Sequence, residues 1–102
     1  MSKQITIRMP KRFCRQTLLY FNETGDRCGC FYGEFATQAF GQKRIEQDWR
    51  LQNVPDGGVY GEGSDFQRAM ISAHCEAARS PAKIRRAKFR EVCKRYGVKV
   101  IG

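Results

Sequence analysis

The stretch SDFQRAMISAHCEAARSPAKIRRAKFREVCKRYGVKVI, which spans residues 64–101, contains the clearest structural signals of this 102-residue sequence. Ser64 is followed by Gln67 three positions later, a capping box that is typical of a helix N-terminus. Apolar residues then recur at helical spacing, which predicts an amphipathic helix that runs to Arg79. These apolar residues are Phe66, Met70, Ala73 and Ala77.

A second helix is predicted over residues 81–96. Ser80 is placed to act as its cap, and Pro81 suits the first helical position because its missing N–H has no intrahelical partner there. Gly97 suits the position just past the helix C-terminus. Residues 98–101 then predict a short final strand, and the tight connection predicts that the two helices meet at a sharp corner.

The N-terminal half has weaker signals. Apolar and polar residues alternate over residues 3–9, which predicts a half-buried strand that ends at Pro10. Two apolar runs, residues 17–21 and 28–32, flank an Asn/Gly/Asp cluster and predict a β-hairpin. A helix from Pro10 to about Asn22 is the competing interpretation.

One α+β domain over residues 1–102 follows from these elements. The N-terminal strand, the hairpin and the C-terminal strand would form a small antiparallel sheet, packed by two or three helices. Residues 36–52 are the candidate for a third helix, and the Gly- and Pro-rich residues 53–63 form the longest predicted loop. Phe31 and Phe35 are expected in the core and Tyr32 on the surface.

Charge is segregated along the chain, which carries a formal net charge of +9. Residues 1–15 hold five basic residues and no acidic one, whereas residues 81–102 hold eight basic residues and one acidic residue, Glu91. Two basic ends around a mildly acidic middle predict two basic faces, or a single face if the ends meet in space. The expected partner of such a surface is a polyanion.

A helical wheel of residues 81–96 separates apolar from basic side chains. The predicted buried face consists of Phe89, Val92, Cys93 and Tyr96. An adjacent sector holds four cations at spacings of three, four and four residues. These four residues, named here the cationic stripe, are Lys83, Arg86, Arg90 and Lys94. Such a stripe can follow a phosphate backbone, because each cation can displace a condensed counterion.

Two functional hypotheses of different class follow. The first is a small, basic, non-enzymatic accessory protein that binds DNA or RNA through the cationic stripe, helped by the N-terminal cations Lys11, Arg12 and Arg15. The second is a phage-type inhibitor or adaptor that binds a host nucleic-acid-processing complex, such as a nuclease, a helicase or a CRISPR effector. Trp49, the single tryptophan, is the expected anchor for a protein partner.

Other classes of function find little support. No phosphate-binding glycine loop or paired-carboxylate motif occurs, so we expect no enzyme, no cofactor and no small-molecule substrate. The five cysteines and the absence of an apolar leader or membrane span predict a protein of the reducing cytoplasm. A zinc site stays an open alternative for the cysteines, with Cys14, Cys28, Cys30 and the neighbouring pair His74 and Cys75 as candidate ligands.

Overall fold

Five secondary-structure elements follow one another in the computed structural model, which describes residues 4–11, 13, 30–41 and 54–102. They are β1 (Thr6–Arg8), α1 (Phe31–Phe40), α2 (Asp65–Ala77), α3 (Ala82–Arg95) and β2 (Lys99–Ile101). Each element packs against the next around a closed circuit, from β1 to β2, α3, α2, α1 and back to β1. The described residues therefore form an α+β fold with three helices, as predicted.

The sheet differs from the prediction, because β1 and β2 pair in parallel. The backbone N–H of Lys99 donates to the Ile5 carbonyl at 2.9 Å, and that of Met9 donates to the Ile101 carbonyl at 2.8 Å. The expected antiparallel sheet is therefore wrong. Parallel strands need a long crossover connection, and here all three helices lie between β1 and β2 along the chain.

A side chain covers the other edge of β1. The backbone N–H of Arg8 donates to Gln38 Oε1 at 2.7 Å, and Gln38 Nε2 donates to the Arg8 carbonyl at 2.8 Å. The amide of Gln38 thus replaces a neighbouring strand at this position. This pair of hydrogen bonds attaches α1 to the sheet and satisfies backbone groups that an edge strand would leave to solvent.

The predicted second strand of the hairpin, residues 28–32, is wrong at its C-terminal end, because Phe31 and Tyr32 begin α1 instead. Cys30 caps this helix, and its Sγ accepts a hydrogen bond from the Gly33 N–H at 3.3 Å. Residues 17–29 lie outside the described part of the chain, as does most of the competing helix from Pro10 to Asn22. The candidate helix over residues 36–52 overlaps α1, which ends at the left-handed Gly41; residues 42–53 lie outside the described part.

The two C-terminal helices agree with the sequence prediction apart from their junction. Ser64 Oγ accepts from the Gln67 N–H at 3.0 Å, as the capping box predicts, while Gln67 Oε1 accepts from Gly63 rather than from Ser64. α2 ends at Ala77 instead of Arg79. Pro81 is the residue before α3, and no side chain caps that helix, so the predicted Ser80 cap is wrong.

Aromatic rings fill the core between the helices and the described loop 54–63. The ring of Phe66 contacts four others, those of Tyr32, Phe35, Tyr60 and Tyr96, at centroid distances of 4.6–6.2 Å. Two hydrogen bonds of Tyr60 attach this loop to the helices. The Tyr32 hydroxyl of α1 donates to the Tyr60 carbonyl at 2.7 Å, and the Tyr60 hydroxyl donates to the carbonyl of Tyr96, which follows α3, at 2.6 Å. Tyr32 is buried, contrary to the expected surface position. In the described part, no helix has the length and apolar character that a membrane span requires.

Candidate nucleic-acid interface

The cationic stripe lies on one exposed side of α3. Phe89, Val92 and Cys93 turn towards the core, as the helical wheel predicts. All four stripe residues are exposed. The first and last of them, Lys83 and Lys94, are eleven residues apart, which at the rise of an α-helix is about 16 Å. Since each strand of a duplex carries a phosphate about every 3.4 Å along the axis, this length matches roughly five phosphates of one strand.

The far side of α3 also carries cations, but these have carboxylate partners. Lys88 Nζ lies 3.4 Å from Glu76 Oε2 on α2, and Arg95 Nη2 lies 3.2 Å from Glu91 Oε1. None of the stripe cations forms an ion pair with an Asp or Glu side chain of the described residues, although Arg90 Nη2 donates to an oxygen of Gly102, the last residue of the sequence, at 2.9 Å. The two sides of one helix therefore differ: one has its charge partly neutralised within the protein, and the other does not.

The strand β2 adds a cation to the stripe. Lys99 lies with Arg90 and Lys94 around a cleft of about 300 Å³ between α3 and the sheet. The remaining lining residues are Gln4, Val98 and Val100. Sequence reasoning missed Lys99 as a site residue, because only the packing of β2 against α3 brings it beside the stripe.

The N-terminal basic segment also reaches this surface. Met9 bonds to Ile101 in the sheet, and Arg90 Nη2 donates to the neighbouring Gly102 carbonyl at 2.9 Å. Phe13, which lies four residues after Met9 in the sequence, packs on Phe89 with ring centroids 5.0 Å apart. Lys11 is exposed, and in the sequence it lies midway between Met9 and Phe13, the two residues that contact the C-terminal segment. The basic ends thus meet in space, although Arg12 and Arg15 lie outside the described residues.

Arg85 holds the two ends together from within the protein. Its side chain is buried, and Nη2 donates to the Phe13 carbonyl at 2.6 Å. The guanidinium also lies 6.0 Å from the centre of the Phe13 ring. Sequence reasoning counted Arg85 with the other basic residues and missed this role. The helical wheel contained the signal, because Arg85 falls between Val92 and Tyr96 in the apolar sector.

The remaining candidate residues do not form a site in the part of the chain that is described. Cys30 is buried as the α1 cap, Cys75 is exposed, and His74 is buried with its ring 4.9 Å from that of Phe31. No group of three or more potential metal ligands occurs among the described residues. Burial raises the pKa of the Cys30 thiol to about 11, which disfavours the thiolate that binds zinc. Cys14, Cys28 and Trp49 lie outside the described residues.

Comparisons of this chain with protein-family models, with curated proteins and with solved structures found no match. The functional argument therefore rests on the surface itself. Five exposed cations that have no Asp or Glu partner in the described structure can neutralise a row of anionic groups. Arg86 can present two parallel N–H donors to a phosphate, Arg90 already donates from Nη2 to Gly102, and the lysines act as point charges.

Proposed function

We propose that this protein binds nucleic acid through its phosphate backbone, with the cationic stripe and Lys99 as the contact surface. The observation that carries the proposal is the difference between the two sides of α3. On one side, Lys88 and Arg95 form ion pairs with glutamates; on the other side, the cations are exposed and none pairs with an Asp or Glu side chain among the described residues. A surface whose charge served solubility alone would gain nothing from this segregation.

The geometry favours contacts that do not depend on base sequence. Four of the cations belong to one helix and repeat once per turn, which suits a regular row of phosphates. Each neutralised phosphate contributes about 0.9 to the slope of log K against log salt for duplex DNA, and about 0.7 for a single strand. Five contacts therefore predict a slope of about −3.5 to −4.5.

The test compares two double variants that remove the same charge from opposite sides of α3. Arg86→Gln with Lys94→Gln removes two stripe cations, whereas Lys88→Gln with Arg95→Gln removes the two ion-paired cations. Binding to labelled DNA and RNA, single- and double-stranded, is measured by fluorescence anisotropy in a series from about 0.05 to about 0.3 M salt, a range over which screening changes substantially.

The stripe double variant should lower the magnitude of the salt slope by about 1.4 to 1.8, which corresponds to binding about 25- to 60-fold weaker at 0.1 M salt. The affinity and the salt slope of the control double variant should stay close to those of the parent protein. Its two cations lie on the far side of α3, where they are paired with Glu76 and Glu91. Equal weakening by the two variants would show that only net charge matters. Absence of any salt-dependent binding would overturn the proposal and favour the inhibitor or adaptor alternative.

A further inference from the structure

We propose that the cleft between α3 and β2 holds an unpaired nucleotide, so that the protein prefers single-stranded to duplex nucleic acid. This inference rests on the proposed function and names the form of nucleic acid that the surface takes. The cleft combines an apolar floor with a cationic rim: Val98 is only 3% exposed and forms the floor with Val100, while Arg90, Lys94 and Lys99 stand around it.

This combination distinguishes a nucleotide from a phosphate alone. A site for the phosphate backbone needs cations and exposed donors, and an apolar floor adds nothing to it. A base that is neither paired nor stacked has an apolar face that gains by leaving water. The cleft lets such a base cover the exposed part of Val100, next to the buried Val98, while the adjoining phosphate meets the rim cations. In a duplex, the bases are stacked and paired, and their faces cannot reach the floor.

The volume of the cleft and its polar residue Gln4 fit one unpaired nucleotide. Its volume of about 300 Å³ lies at the lower end of the range for small-molecule sites, which leaves room for one nucleotide and not for a stacked pair. Gln4 lines the cleft, and its Nε2 donates to the Gly97 carbonyl at 3.4 Å. With Nε2 donating to Gly97, the amide oxygen is the group that can accept a hydrogen bond from an N–H on a base edge, such as N3–H of thymine or uracil.

The experiment uses three ligands with the full-length protein: a twelve-nucleotide oligothymidylate, an oligonucleotide of the same length whose central nucleotides are abasic, and a duplex of twelve base pairs. Abasic nucleotides keep every phosphate and remove the bases. We expect the abasic strand and the duplex to bind up to about tenfold more weakly than oligothymidylate, because both lose the burial of one base face against Val100. The abasic strand should keep the salt slope of the intact strand.

Two variants locate the effect in the cleft. Val100→Thr makes the floor polar with little change in shape, and it should remove most of the difference between the intact and abasic strands while the salt slope stays unchanged. Gln4→Leu is a second variant at an exposed residue outside the strands, for use if Val100→Thr unfolds. Repeating the series with oligouridylate shows whether DNA or RNA fills the cleft better.

The outcomes separate this inference from the proposed function. Binding with the expected salt slope, but equal for the intact strand, the abasic strand and the duplex, would overturn the nucleotide site and leave the phosphate-binding surface intact. Loss of all salt-dependent binding would overturn both. A base-dependent preference that neither variant reduces would place the base contact elsewhere and would equally overturn the assignment to this cleft.

Discussion

Replacement of Arg85 by Met should destabilise the fold, although it removes a buried charge. The guanidinium makes a charge-assisted hydrogen bond of 2.6 Å to the Phe13 carbonyl and lies 6.0 Å from the Phe13 ring. Phe13 in turn packs on Phe31 and Phe89, with ring centroids 4.6 and 5.0 Å away. Arg85 therefore links the segment that follows β1 to both α1 and α3.

The expected magnitude follows from three contributions. Hydrogen bonds to a charged group contribute about 1.5–3 kcal/mol, and their loss leaves the Phe13 carbonyl without this donor. The cation–π contact, at the outer limit of its range, adds about 0.5 kcal/mol. The substitution also stabilises the fold by about 1 kcal/mol, because the unbranched, apolar Met side chain avoids the desolvation penalty of the buried guanidinium. The net loss is about 2 kcal/mol, which for a domain of this size lowers Tm by roughly 8–16 °C.

Thermal and urea unfolding, followed by circular dichroism, measure this loss. The matched control is Arg86→Met, the same chemical change at the exposed neighbouring residue, which should alter stability by no more than about 0.5 kcal/mol. Arg85→Lys keeps the charge and loses the planar fork, so an intermediate value is expected. Equal stability of the Arg85 and Arg86 variants would refute the reasoning, and so would an Arg85→Met protein more stable than the parent.

Two further predictions concern the core. Phe66→Leu removes contacts with four rings and should lower the free energy of unfolding by about 2–3 kcal/mol, somewhat less than the full truncation of a buried Phe; urea unfolding measures the loss. Burial raises the pKa of Cys30 to about 11 and that of Cys93 to about 12 from the ordinary value of 9.0. Above pH 9 the unfolded chain loses these protons before the folded one, so the stability that the protonated thiols give is complete below pH 9 and falls as pH rises towards 11 and 12, by at most about 1.4 kcal/mol per pH unit for each thiol. Urea midpoints between pH 7 and 10.5 test this, and Cys93→Ala should flatten the decline; a parent protein as stable at pH 10.5 as at pH 8 would contradict it.

Local signals in the sequence were sufficient to predict the C-terminal half. The cap at Ser64, the break at Pro81 and the left-handed Gly97 each act within one helical turn, so their effect can be read without knowledge of the fold. At the junction, the predicted end of α2 was two residues too late, and the extended backbone of Pro81, with φ −59° and ψ 158°, delays the start of α3 by one residue. Propensity alone does not determine such a boundary.

The sheet could not be predicted in this way, because its pairing is remote in sequence. Thr6 and Lys99 lie opposite each other in β1 and β2, at the two ends of the chain. A short alternating strand specifies which face is buried and not which strand will pair with it or in which direction. The aromatic residues at the start of α1 misled for a related reason, since Phe and Tyr favour strands wherever packing does not decide otherwise.

The candidate site divides along the same line. The cationic stripe follows from the helical period alone, and the structure shows all four of its residues exposed on one side of α3. Lys99 becomes part of the surface only because β2 lies beside α3, which the sequence does not show. The burial of Arg85 could be predicted from its place in the apolar sector of α3, but its hydrogen bond to the distant Phe13 could not.

Parallel pairing has a consequence for charge that an antiparallel sheet would not have. Because β1 and β2 run in the same direction, both chain segments leave the sheet at the same end, where Met9 bonds to Ile101 and Arg90 to Gly102. The two basic segments thus lie next to each other, and repulsion between like charges, a few tenths of a kcal/mol for each neighbouring pair on a helix, opposes folding. The pairing of Lys88 and Arg95 with carboxylates shows that the chain relieves such repulsion on the far side of α3. On the stripe side, no Asp or Glu side chain of the described residues relieves this repulsion. If the proposed function holds, bound phosphates would relieve it and would stabilise the folded protein, because they bind only the folded state.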